Sequence, residues 1–139
     1  EDELMDWRTW VFDQLRTDAA ILADVPEASI FGSGSLQGAP AVRPFILITF
    51  GTELAEINDA VAPVATSQRA TIYAHDDPGD YLRIARILTN VRRRLAGSTA
   101  GMNNGGIIGL WEGDSADLGD DLFKTITRFG EYRFVGKVA

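Results

Sequence analysis

Residues 44–50 read Pro44-Phe45-Ile46-Leu47-Ile48-Thr49-Phe50, and this stretch decides the fold. Successive side chains of a strand point to opposite faces, so Phe45 and Leu47 share one side, and Ile46, Ile48 and Phe50 share the other. Both sides are apolar, which places the strand centrally or under cover on both faces. Pro44 suits the first strand position, where no ladder N–H is needed.

Working outward, residues 69–75, Arg-Ala-Thr-Ile-Tyr-Ala-His, read as a second strand, closed by the turn-forming run Asp76-Asp77-Pro78-Gly79. Residues 79–96 then read as a helix. Tyr81, Ile84, Ile87, Leu88, Val91 and Leu95 fall on one face, and Arg83, Arg86, Asn90, Arg93 and Arg94 on the opposite one. Residues 4–23 form another amphipathic helix, with Leu4, Val11, Phe12, Leu15, Ala19 and Leu22 on its main face and Met5 at the edge. The acids of its first turn suit a helix N-terminus. Trp7, Trp10 and Ile21 fall on an adjacent flank, either covering the domain's own sheet or offering an apolar interface.

Shorter signals fill in the rest. Residues 28–31 suggest a short strand, and 32–40 have loop composition. Residues 51–68 fit a helix or an extended mobile loop equally well. Gly97 reads as a helix stop and 101–106 as a flexible turn. Residues 106–112 read as a strand ending in Trp111, and 112–121 as an acidic loop. Residues 122–135 read as a long final strand. Its aromatics change parity between Phe129 and Tyr132, so a one-residue bulge near Gly130 is expected to bring them to one face. The order implies an α+β fold: a single mostly antiparallel sheet with two main helices packed on it, and long flexible loops, in one domain over 1–139.

Composition limits the chemistry. The 139 residues include no cysteine and one histidine, which excludes disulfides, thiolate zinc sites, cysteine nucleophiles and multi-histidine metal sites. No apolar run approaches the ~18–20 residues of a membrane span. The first residues are acidic, unlike the basic-then-apolar start of a secretory signal, so a cytoplasm-made soluble domain is expected.

Individual motifs give little catalytic support. Gly32-Ser33-Gly34-Ser35-Leu36-Gln37-Gly38 lacks the lysine and hydroxyl pair of a phosphate loop and reads as surface loop. His75-Asp76-Asp77 invites a general base or metal site, yet a lone histidine at a strand end beside turn aspartates fits a turn. Ser33, Ser35 and Ser115 sit in no nucleophile elbow. The acids of 112–121 lack the spacing of a calcium loop. No catalytic residue, metal site or cofactor is expected.

The net charge of −7 hides its distribution. Residues 1–24 carry a balance of −5, residues 80–96 a balance of +4, and residues 112–121 a balance of −5. The arginine face is a solvated helix surface, a phosphate-following surface, or one half of a protein interface. In the last case Arg83, Arg86, Arg93 and Arg94 of one copy meet Glu112, Asp114, Asp117, Asp120 and Asp121 of the next. Such a head-to-tail contact closes into rings or runs on into filaments.

Several stretches together resemble the tail terminator proteins of long-tailed bacteriophages, the lambda minor-tail-protein-U type and its tail-completion relatives. They are the opening helix leading to Val25-Pro26-Glu27-Ala28-Ser29-Ile30-Phe31, the strand Pro44 to Phe50 with a variable loop after it, and Ala70 to Asp76. Pro78 to Leu88 and Val91 to Leu95 follow, then Trp111 to Asp121 and a closing strand through Arg128 and Tyr132-Arg133-Phe134. The resemblance covers most of the chain in order and length, through loose apolar and polar patterns.

It implies a structural virion protein with no catalytic residues, assembled in the host cytoplasm and placed at the head-proximal end of the tail. Such a protein forms a hexameric ring that caps the tail tube, ends its polymerisation and gives the head or neck connector a docking surface. Its partners would be itself, the tail tube protein and the connector, with DNA passing the lumen without specific binding and no membrane. Residues 32–38 and 51–68 would be mobile loops that order on contact with neighbours. The alternatives are a head-side neck or completion ring, a small acidic enzyme using His75 with Asp76 or Asp77, and a nucleic-acid binder working through the arginine helix.

Overall fold

A computed structural model describes residues 7–35, 40–58, 63–96 and 108–137. The expected helix over 4–23 is two helices, α1 (Trp7–Arg16) and α2 (Ala19–Leu22). Asp18 makes the break. Its backbone is extended, and its carboxylate accepts the amides of Ala20 and Ile21 at 3.0 and 3.1 Å, capping α2. Thr17 donates its hydroxyl to the Asp13 carbonyl in the last turn of α1. Leu4, Met5 and the acids expected in the first turn lie outside the described residues, as do Leu36 to Ala39, Gly97 and the turn at 101–106.

A 3-10 turn at Glu27–Ser29 leads into β1 (Ile30–Gly32), two residues later than expected. It pairs parallel to β2 (Phe45–Asn58), with Ile30 opposite Ile46. Strand β2 then pairs antiparallel with β3 (Pro63–Asp76) in one long hairpin. The helix or mobile loop expected over 51–68 is therefore strand at 51–58 and 63–68; residues 59–62 lie outside the described residues. Partner backbone, not apolar pattern, supplies the order. The register runs from Phe45–His75 to Phe50–Ala70, slips at Gly51-Thr52, and resumes at Glu53–Gln68. Gln68 bridges the slip by donating to the Gly51 carbonyl at 2.7 Å.

Helix α3 (Tyr81–Ala96) buries Ile84, Ile87, Leu88, Val91 and Leu95, the expected stripe. Tyr81, expected on that face, is 37% exposed in the first turn. Strands β4 (Ile108–Asp114), β5 (Leu118–Asp120) and β6 (Thr125–Lys137) complete the sheet. The strand order is β1-β2-β3-β6-β4, with β5 beside β4 on the same edge of β6. Only the β1–β2 pair among the described strands is parallel, so the sheet is mostly antiparallel and the architecture is α+β.

The bulge expected at Gly130 is absent from the β3–β6 ladder, which is unbroken from Ala65–Lys137 to Asp76–Ile126. The aromatics therefore divide between faces. Tyr132 and Phe134 join the helix-side core, while Phe129 packs against Tyr73 on the other side, ring centroids 5.2 Å apart. Gly130 has a different task. A Cβ there would lie 2.8 Å from Asp114 Oδ1 and 3.1 Å from the Tyr132 ring. The irregularity falls in β4 instead, between Trp111 and Gly113.

The core lies between the helices and one sheet face, where Ile46, Ile48, Ala70, Ile72, Ala74, Tyr132 and Phe134 meet Val11, Leu15 and the α3 stripe. Each such aliphatic side chain contributes about 1.5–3 kcal/mol by leaving water. The opposite face carries no helix among the described residues. There Phe45 is covered by a second, aromatic cluster, stacking on His75 at 4.7 Å and meeting Phe123 edge-on at 5.7 Å, while Leu47 and Thr49 are half-buried. The stretch is thus covered on the helix side at Ile46 and Ile48 and on the other side at Phe45.

Candidate assembly surfaces

The arginine stripe of α3 is positioned by helical spacing, and the fold supplies it with acids from three other segments. Arg83 grips Asp76 at the end of β3 with two bonds, Nε to Oδ2 at 2.5 Å and Nη2 to Oδ1 at 2.6 Å. Arg86 grips Asp24 in the same bidentate way, at 2.8 and 2.6 Å. Arg93 donates through Nη2 to both oxygens of the capping Asp18, each at 2.7 Å. The forked guanidinium matches a carboxylate edge, which is why arginine serves here.

These bonds leave their mark on the titrations. Burial opposes ionisation of Asp18, but the Arg93 hydrogen bond, the Ile21 amide, the Arg93 charge and the Ala20 amide outweigh it and hold its pKa below 3.8. The Arg86 hydrogen bond does the same for Asp24 against a smaller burial effect. Arg83 is held still more firmly protonated, chiefly by its hydrogen bonds to Asp76.

Segregation along the sequence is therefore not segregation in space. For Arg83, Arg86 and Arg93 to meet acids of another copy, they must give up partners in their own chain. Arg83 holds a carboxylate with no exposure, whereas Arg86 and Arg93 are 59% and 54% exposed and can exchange. The Nε of Arg94 is buried without a hydrogen-bond acceptor. Arg92, not singled out in the sequence, lies 4.4 Å over the Trp111 ring and joins α3 to the sheet edge.

The acidic stretch is also partly compensated within the chain. Glu112 pairs with Arg69 at 2.7 Å. Asp114 accepts Trp111 Nε1 at 2.9 Å and lies 4.0 Å from Arg128, which also approaches Asp117 at 3.5 Å. Asp120 accepts the Phe123 amide at 2.9 Å and shapes the turn into β6. Asp121 is exposed.

Trp7, Trp10 and Ile21 must be corrected as an apolar interface. They are 4%, 7% and 0% exposed. Trp7 stacks on Phe134, Trp10 meets the same ring edge-on, and Trp7 Nε1 donates to Thr66 at 3.1 Å. The flank was too wide for one helix contact because it covers the far end of the sheet as well as the facing helix.

His75, Asp76, Asp77 and Ser115 are engaged in structural contacts. His75 is buried, stacked on Phe45 and bonded through Nδ1 to Thr125 Oγ1 at 2.8 Å; burial lowers its pKa to about 4. Ser115 accepts the Phe129 amide and donates to the Ala116 carbonyl. Asp76, Asp77 and Asp80 bring carboxylates within 4.8 Å, but Arg83 already bridges Asp76 and Asp80, so a cation would have to displace it. Arg43, which no sequence motif marks, joins Asp77 at 3.1 Å to the carbonyls of Phe123 and Lys124 at 2.6 and 3.1 Å, tying two turns together.

The helix-free sheet face holds a cleft of about 520 Å³, lined by Leu47, Tyr73, Leu118 and Phe129 among others, with Asp120 at its side. Alternation in β2 and β6 put residues on this face, but the cleft itself forms only when β5 pairs beside β6.

No protein-family model matches the sequence, and no curated protein matches it. Among solved structures, the chain is similar to a chain in the virion of a native gene transfer agent (GTA) particle. The TM-score is 0.64 at 16% identity, over 95% of this chain and 93% of that one. The two share a fold.

Proposed function

We propose that the chain is a structural protein of a phage-like virion, a ring-forming tail terminator that caps the tail tube. The observation that carries this reading is the full-length likeness to a chain of a GTA virion, together with the order of elements that resembles tail terminators. One face of the ring would copy the contacts of the tube's end, and the other would present a different surface. Polymerisation then stops for want of a matching layer, and the head or neck connector docks instead. DNA would pass the lumen without specific binding.

The chemistry supports assembly better than catalysis. His75 is buried with its pKa lowered to about 4, and Ser115 and Asp76 are taken by structural bonds. Between subunits, the exposed arginines Arg86 and Arg93 would exchange their bonds for the exposed acids Asp117 and Asp121, giving orientation more than affinity. The test is assembly on purified tail tubes. A terminator added to polymerising tube subunits shortens the tubes and marks one end of each. Binding only to connector-bearing heads would favour the neck-ring reading.

A further inference from the structure

The most exposed large apolar side chain of α3 is Leu82, at 88%, one residue before the ionic framework begins. It stands on the solvent side of the helix with Arg86 one turn along, and both point away from the sheet that α3 covers. On the opposite side of that sheet lies the cleft floored by Leu47, Tyr73 and Phe129 and walled by Leu118, itself 41% exposed. Asp120 lines it, and the exposed acids Asp117 and Asp121 stand next in the chain to its lining residues Leu118 and Asp120, with Asp117 3.5 Å from Arg128. The chain thus bears an apolar knob flanked by a base on one side, and an apolar cleft flanked by acids on the other.

We propose that the occupant of the cleft is Leu82 of a second copy of this chain, with Arg86 of that copy against Asp117 and Asp121. This deepens the ring reading and rests on it. Four features favour the second copy. The cleft of about 520 Å³ has room for a leucine side chain. Arg86 beside the knob and Asp120 in the cleft are opposite in sign, which favours this pairing. Aromatic floors under a desolvated apolar insert are the usual centre of an interface. The knob and cleft sit on opposite sides of the sheet, so the contact is heterologous and repeats around a ring instead of stopping at a pair.

The test uses the full chain with Leu82→Asp and Leu118→Asp, separately and mixed, followed by mass from light scattering and folding by circular dichroism. Both positions are exposed, so both variants are expected to keep the wild-type spectrum. Wild type is expected to form a multimer, and each variant alone to lose it. Mixed, the Leu118→Asp knob enters the Leu82→Asp cleft while the other two surfaces stay blocked, so the mixture gives a dimer and nothing larger. Multimers that persist in Leu82→Asp overturn the knob-and-cleft contact and leave the ring reading standing. Loss of multimers in both variants without a mixed dimer also overturns it, because the contact would then not be head to tail. A wild-type chain that stays monomeric both at high concentration and with tail tubes present overturns both.

Discussion

Arg93 of α3 holds both carboxylate oxygens of Asp18 at 2.7 Å, and the same carboxylate caps helix α2 through the amides of Ala20 and Ile21. One side chain thus ends α1, starts α2 and ties both to α3. Asp18→Ala should cost about 1–3 kcal/mol, combining a lost cap with lost acceptors. Asp18→Asn, which keeps the cap, should cost less. Urea titrations followed by circular dichroism measure both.

Acid should reveal the same link. Asp18 and Asp24 have folded pKa values below their ordinary 3.8, so below that pH the unfolded chain takes up protons first. Their contribution is full above pH 3.8 and is lost as pH falls through the folded values. The Asp18→Asn variant should show a shallower loss of stability over this range than wild type.

His75 acts in a separate window. Its pKa falls from 6.5 to about 4 on folding because burial disfavours the charged ring. Stability from this group is full above pH 6.5, since the folded ring is neutral there as the unfolded one is. It declines as pH drops toward 4, for a total of up to about 3 kcal/mol. His75→Phe should flatten urea midpoints between pH 7 and 4, within the limits of that window.

The ion pairs of α3 should differ in weight. Asp76 is wholly buried, so Arg83→Ala strands a carboxylate in the interior and should cost about 2–4 kcal/mol. Arg86→Ala breaks an exposed pair and should barely move the unfolding midpoint. Its effect should appear in assembly instead, as a slower or more salt-sensitive multimer.

Close approach makes a further demand. A Cβ on Gly109 would lie 1.7 Å from the Leu95 carbonyl oxygen, where β4 passes the end of α3. Gly109→Ala must push strand and helix apart and should cost about 3 kcal/mol, read as a lower thermal midpoint.

Local periodicity made much of this fold legible. Phe45 to Phe50 declared a strand covered on both faces, and Ile84 to Leu95 declared a helix with one buried stripe. What periodicity could not carry was non-local. Glu53, Leu54 and Ala55 are exposed, and they are strand because β3 pairs with them, not because of their own pattern. Trp7 and Trp10 looked surplus until Phe134, far along the chain, came beneath them. The parity change at Phe129 and Tyr132 reflects two apolar sheet faces, which a one-sided sheet would have had to repair with a bulge. Asp18 followed by Ala19-Ala20-Ile21 carried a readable capping signal; its grip by Arg93 did not.

The central claim is that this chain assembles with itself into a closed ring. Its most direct test is negative-stain imaging of the purified full chain, alongside its mass from light scattering. The expected result is a homogeneous ring with a central hole and the mass of a hexamer. A chain that remains a strict monomer, both at high concentration and with tail tubes present, contradicts it.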